Sequence, residues 1–192
     1  MLLLLALGAA SPLVEAKDYV PDLVVDLRYA TDDNFLQKAV YPKGARCLLL
    51  KDSAEMLKTA ADTLAKKGFR LKVWDCYRPF AVQQEMWRIF PRRGYVADPG
   101  NGGSNHNRGG AVDLTLVTVD GKDVEMPTGF DTFARAAFHS YKGGSELSRK
   151  NRQTLREAME AAGFVKNPME WWHWELPDAI HHPVLDEPLT PP

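Results

Sequence analysis

Ser104-Asn105-His106-Asn107-Arg108-Gly109-Gly110-Ala111-Val112-Asp113 is the stretch around which the rest of this chain is organised. It sets a histidine and an aspartate seven residues apart, with a glycine pair between them that lets the backbone turn. Asp113 then opens the apolar run Leu114-Thr115-Leu116-Val117-Thr118-Val119, read as a strand. A loop histidine and a strand-initial carboxylate can converge on one cation. Zinc takes imidazole nitrogen and carboxylate oxygen, and a catalytic site keeps one position open for water. Taken alone, the spacing is a weak signal, because a loop histidine beside a satisfied buried acid looks the same.

A second cluster, Glu170-Trp171-Trp172-His173-Trp174-Glu175, follows, with His173 sixty residues after Asp113. His173 would be the third ligand. The tryptophans would make a low-dielectric surround that raises a nearby carboxyl by desolvation, as a general base needs. In a straight strand His173 and Glu175 share a face and Glu170 points the other way, so periodicity favours Glu175 as the base. Glu170 serves only if the chain bends before the strand. Asp75-Cys76-Tyr77-Arg78-Pro79 ends a strand and enters a helix. Arg78 there could neutralise an oxyanion, hold a substrate carboxylate, or form a structural ion pair. His139, His181 and His182 read as solvated or structural.

A chain of 192 residues favours one domain with a full core. Its net charge of −1 gives no field to recruit nucleic acid or an anionic membrane, so neither partner is supported. Residues 2–10 form an apolar run too short to span a bilayer, and with the small residues up to Ala16 they read as a secretory leader. That division makes residues 1–16 the leader and residues 17–192 a single domain, periplasmic or secreted, with no stable membrane association once the leader is removed. The positive n-region is missing; if the run instead packs on the domain, the protein is cytoplasmic. Two cysteines, Cys47 and Cys76, are too few for a disulfide framework. They are read as buried thiols, with a disulfide as the alternative.

Periodicity predicts an early strand in 19–29, a helix from Asp52 to Gly68 and a strand at 70–75. A short helix over 81–90, a strand at 110–119 and a helix over 148–162 follow, then a last strand at 171–176 and an irregular Pro-rich tail. Asp120-Gly121 signals a hairpin into Val124-Glu125-Met126. The expected class is α+β, a mostly antiparallel sheet flanked by helices.

The blocks Ser104-x-His106-x-Arg108-Gly109-x-Ala111-x-Asp113, Trp74-Asp75-x-Tyr77-Arg78-Pro79 and Glu170-Trp171-Trp172-His173 resemble the D-alanyl-D-alanine dipeptidases, zinc enzymes related to vancomycin resistance. So do Arg28-Tyr29-Ala30-Thr31-x-Asp33-Asn34-Phe35 and Met126-Pro127-x-Gly129-Phe130-Asp131, in the family's order across residues 20 to 177. The resemblance implies a fold like that of zinc D,D-peptidases and the hedgehog signalling domain. It implies one Zn2+ held by His106, Asp113 and His173, Glu170 as general base, and Arg78 stabilising the transition state. Asp131 with Ser104 would hold the substrate ammonium, and Tyr29 would line the pocket. It therefore selects Glu170 over Glu175 and requires the bend. Cys76 departs from the small residue found in many relatives. The substrate implied is a small dipeptide, in turnover or scavenging of cell-wall fragments. The alternatives are a zinc D,D-carboxypeptidase acting on longer muropeptides, distinguished by pocket closure around Asp131 and the 138–148 loop, and a non-catalytic metal-binding module.

Overall fold

The computed structural model describes residues 11–191. In chain order its elements are β1 (Leu13–Glu15), α1 (Ala16–Tyr19), β2 (Val24–Val25), β3 (Leu48–Leu50), α2 (Lys51–Ala65), β4 (Phe69–Asp75), α3 (Phe80–Ile89), β5 (Ala111–Thr118), α4 (Glu146–Ala161), β6 (Val165–Lys166) and β7 (His173–Glu175). The main sheet runs β2-β4-β5-β7-β6, and β1 pairs with β3 in a separate ribbon.

The expectation of a mostly antiparallel sheet is corrected to a mixed one. β4–β5, β5–β7 and β7–β6 are antiparallel, but β2 runs parallel to β4. The physical reason is the connection: the chain leaves β2 and returns to β4 through α2, and a helical crossover brings a strand back in the same direction. The early strand shrinks to two residues, flanked by α1 and a 3-10 turn at Arg28–Ala30. The Asp120-Gly121 turn forms, with the Gly121 N–H donating to the Thr118 carbonyl, but its return strand reduces to one bridge, Val117 with Asp123. Residues 124–126 leave the sheet to wall a cavity instead.

The two faces of the sheet have different work. Leu71, Val73, Leu114 and Leu116 join Leu57, Ala60 and Leu64 of α2 and Leu155, Ala158 and Met159 of α4 in one buried core. The helices present these residues at three- and four-residue spacing, the stripe that core packing requires. The opposite face carries Lys72, Trp74, Asp113 and Thr115, buried polar groups on a central pair of strands. That face builds the site.

Residues 1–10, which carry the apolar run of the expected leader, lie outside the described residues. The rest of that segment is part of the fold. β1 pairs with β3, Ala16 is fully buried, and its N–H donates to the Cys47 carbonyl at 2.9 Å. A boundary after Ala16 would cut β1 away.

Cys47 and Cys76 are not free thiols but a disulfide, with Cα atoms 5.2 Å apart. Cys47 precedes β3 and Cys76 follows β4, and the Tyr77 N–H donates to the Leu48 carbonyl at 2.8 Å, so the two segments run side by side. This proximity is a tertiary product that the 29-residue separation hides. Closing a loop of that length should add about 3–4 kcal/mol to the unfolding free energy. Denaturant titration with and without reductant measures it; coincident curves would contradict the expectation.

His139 is nine-tenths buried, edge-on to Trp174 at 5.3 Å, and neither ring nitrogen finds a partner among the described residues. Burial first, then the charges of Arg156, Lys166 and Arg152 against that of Glu160, lower its pKa from 6.5 to about 4. The unfolded chain therefore takes up this proton first as pH falls, so stability is complete above about 6.5 and declines toward 4. The loss should reach about 2 kcal/mol once solvent screening is allowed for. His139→Phe should flatten the melting temperature across pH 7 to 4; an unchanged slope would assign the effect elsewhere.

Candidate active site

The turn bearing His106 is set by its own sequence. Ser104 caps it, its Oγ accepting from the His106 N–H at 3.2 Å, while Asn107 Oδ1 accepts from the Ser104 N–H at 2.7 Å. Gly109 ends it at φ +69, where a Cβ would meet Leu13 at 2.5 Å. A second zip joins this turn to the segment after β4. The Arg78 N–H donates to the His106 carbonyl at 3.0 Å, and Asn107 Nδ2 donates to the Arg78 carbonyl at 2.9 Å. The oxyanion candidate and the first ligand candidate are thus one rigid unit.

The sheet register supplies the rest. Asp113 on β5 stands opposite His173 on β7, and opposite Asp75 on β4. His106 Nε2 lies 3.2 Å from His173 Nδ1, His173 Nδ1 lies 2.9 Å from Asp113 Oδ1, and His106 Nε2 lies 3.4 Å from Asp113 Oδ2. All three residues are buried. A tetrahedral cation with bonds of 2.0–2.1 Å has ligand atoms about 3.3 Å apart. The donor triangle therefore fits a small divalent ion. The outward nitrogens are held as metal-binding imidazoles need. His106 Nδ1 donates to the Cys76 carbonyl at 2.7 Å, and His173 Nε2 donates to Glu175 Oε2 at 3.2 Å, a carboxylate itself fixed by Asn105 Nδ2 at 2.8 Å.

The carboxyls and imidazoles of the site shift one another's protonation. Burial raises Asp113, but the His106 charge and hydrogen bonds from both imidazoles overcome it and hold the carboxyl well below its usual range. Burial lowers His173, but hydrogen bonds to Asp113 and Glu175 push it up to about 10. Burial raises Glu170 and, with the Asp113 charge, pushes Asp131 well above the ordinary carboxyl value. These carboxyls share one low-dielectric cavity with one arginine.

That cavity, of about 340 Å³, is lined by all eight residues singled out from the sequence: Tyr29, Arg78, Ser104, His106, Asp113, Asp131, Glu170 and His173. Glu170 lies before β7 rather than in it. The His173 N–H donates back to the Glu170 carbonyl at 3.2 Å, closing a turn, and Asn167 Nδ2 donates to Glu170 Oε2 at 3.0 Å. The bend that the resemblance required is present. Tyr29 Oη donates to Asp131 at 3.1 Å, and Asp131 sits at φ +54, an uncommon conformation that aspartate tolerates better than most. Arg78 donates to Asp75 Oδ2 at 2.5 Å and Gln83 Oε1 at 2.8 Å, over the Tyr29 ring at 5.1 Å. The 138–148 loop does not line the cavity; Gly94–Ala97 and Phe133 do.

Sequence reading missed the supporting residues. Asp75 and Gln83 aim Arg78, Tyr41 Oη donates to Asp75 Oδ1 at 2.6 Å, and Asn167 aims Glu170. Glu175 was visible, and periodicity placed it correctly beside His173; it faces the far nitrogen of that ring.

The D-ala-D-ala dipeptidase family model (Peptidase M15) matches residues 9–189. A D-alanyl-D-alanine dipeptidase of Escherichia coli (strain K12) is 38% identical over 178 residues, covering 93% of this chain and 91% of that one. The D-alanyl-D-alanine dipeptidase of Enterococcus faecalis (strain ATCC 700802 / V583) is 35% identical over 177 residues, with 80% and 85% covered. That of Streptomyces coelicolor is 33% identical over 179 residues, with 81% and 87% covered. With the match running through every element described above, this chain belongs to the D-Ala-D-Ala dipeptidase family of metallopeptidases.

Proposed function

We propose that the protein hydrolyses D-alanyl-D-alanine to two molecules of D-alanine, with Zn2+ held by His106, Asp113 and His173. The observation that carries the reading is the ligand triangle beside Glu170 and Arg78 in one cavity. Zinc, when bound, would polarise the scissile carbonyl and bring the pKa of water toward about 7. Glu170 takes a proton from the attacking water and returns it to the leaving amine; its burial keeps it basic enough for both transfers. Arg78, fixed by Asp75 and Gln83, meets the negative charge that develops on the carbonyl oxygen. Asp131, with Tyr29 and the Ser104 hydroxyl nearby, receives the substrate ammonium. An N-acylated peptide would leave Asp131 buried without a cation, a cost of several kcal/mol, which favours a dipeptidase over a carboxypeptidase.

From the apolar run at residues 2–10 we also propose that the enzyme works in the periplasm or outside the cell, where cell-wall fragments are released. The disulfide supports an oxidising compartment. The processing point then lies ahead of Leu13, since β1 begins there. D-alanine release from D-alanyl-D-alanine, from the L,L dipeptide and from a pentapeptide ending in D-alanyl-D-alanine, each with and without chelator, tests the assignment. Preference for the pentapeptide would establish the carboxypeptidase, and chelator-resistant turnover would remove the metal.

A further inference from the structure

Cys76 reaches both halves of the site through its own backbone. Its carbonyl accepts from His106 Nδ1 at 2.7 Å, the bond that orients the first ligand candidate. Its N–H donates to Asp75 Oδ1 at 2.9 Å, and the other oxygen of that carboxylate accepts from Arg78 at 2.5 Å. The group that aims the imidazole and the group that steadies the partner of Arg78 thus belong to one residue. Both are main-chain atoms, so they hold their places only if the chain itself is held.

Regular structure does not hold it there. β4 ends at Asp75 and α3 begins at Phe80, which leaves Cys76–Pro79 outside both. What fixes this segment is a ring of contacts closed by the disulfide. On one side, the Leu50 N–H and Ser53 Oγ donate to the Gly109 carbonyl at 2.9 and 3.3 Å, so β3 and the start of α2 grip the end of the His106 turn. On another, the Arg78 N–H and Asn107 Nδ2 join that turn to the Cys76–Pro79 segment. Cys47, immediately before β3, then closes the ring covalently onto Cys76. Both cysteines are fully buried, at 0% and 1% exposure, which suits a permanent strut rather than a sensor open to solvent.

We propose that Cys76, tied to Cys47, is a positioning residue of the active site: the disulfide holds the Cys76 peptide where it orients His106 and keeps Arg78 in step with the ligand triangle. This role rests on the zinc dipeptidase reading, although the contacts that carry it are the protein's own. A ligating imidazole loses affinity for its ion when the partner of its far nitrogen is lost, and an arginine displaced from the developing charge loses its effect on the rate. Asp131 and Tyr29, which receive the substrate ammonium, belong to segments that the bond does not join. Breaking the bond therefore falls on metal affinity and kcat, and leaves KM nearly where it was.

The test compares the full chain with its Cys47→Ala/Cys76→Ala form and with Leu155→Ala, a truncation in the helix-packed core that loosens the fold without touching the ring. Each is measured at a temperature where circular dichroism shows it folded. If the double variant does not fold unaided, all three are measured in trimethylamine N-oxide, which favours the compact state. Zinc affinity, by competition with a chromophoric chelator, should fall about 10–100-fold in the double variant, and kcat at saturating zinc should fall over the same range. In the metal-free proteins the His106 Nδ1 proton, followed by 15N NMR, should lose its downfield position as its bond to the Cys76 carbonyl loosens. Leu155→Ala should match the parent in all three readings. A double variant with the parent's zinc affinity and the parent's His106 signal would overturn the proposal. So would a Leu155→Ala form that loses affinity equally, because general loosening would then be the cause. A parent that binds zinc yet releases no D-alanine would end the dipeptidase reading alone, with the affinity and His106 comparisons still deciding the role of Cys76.

Discussion

Glu170→Ala is expected to retain its metal and to lose at least about a hundredfold in turnover. Glu170 is outside the donor triangle, held instead by Asn167 at 3.0 Å and by the turn that precedes β7. Removing its carboxyl would take away the proposed proton acceptor without touching a proposed ligand. Glu170→Gln keeps the shape and the Asn167 contact region and should be nearly as slow, which separates proton transfer from packing. Metal content and turnover, measured on the same preparation, decide the matter. A variant as active as the parent would refute the role.

The second large effect contrasts two neighbours. His173→Ala should abolish both metal retention and turnover, because two remaining donors cannot hold the ion against chelation. The melting-temperature rise on adding zinc should vanish with it. Glu175→Gln should instead weaken metal affinity by about 10–100-fold while an excess of zinc restores turnover, the behaviour of a group that orients an imidazole through its far nitrogen. If Glu175→Gln were inactive with metal fully bound, Glu175 would be the base and the bend at Glu170 would have misled.

Much of the site could be read from residue order, because His106, Asp113 and His173 lie in short motifs with distinctive neighbours. The helices were legible for a related reason: the apolar stripes of α2 and α4 are local patterns. What escaped was nonlocal. The parallel β2–β4 pair depends on a crossover whose direction no window of sequence encodes. The Cys47–Cys76 bond depends on the start of β3 meeting the segment that follows β4. Val124–Met126 carries a strand pattern, yet it walls a cavity because the hairpin stops at Asp123. Glu175 shows the limit most clearly. Periodicity gave its face correctly, but only the distance to the outer ring nitrogen distinguishes a partner of His173 from a base.

The pairing of β5 with β7 is only three residues long, and it sets Asp113 across from His173. Sliding β7 by one residue would rotate His173 to the helix-packed face and bring Trp174 to the cavity. Only one alignment of these strands can close the donor triangle, so an ion captured there proofreads the sheet. The energy of coordination is spent on alignment: at a free-ion concentration a thousandfold above its dissociation constant, the correct register gains about 4 kcal/mol over every slipped one. Chelation should then quicken amide exchange in β7, β6 and the β5 amides that bond to the β7 segment, such as Leu114, while β4 and the β5 amides directed at β4 keep their protection. Uniform exchange across all five strands would show that alignment is secured without the ion.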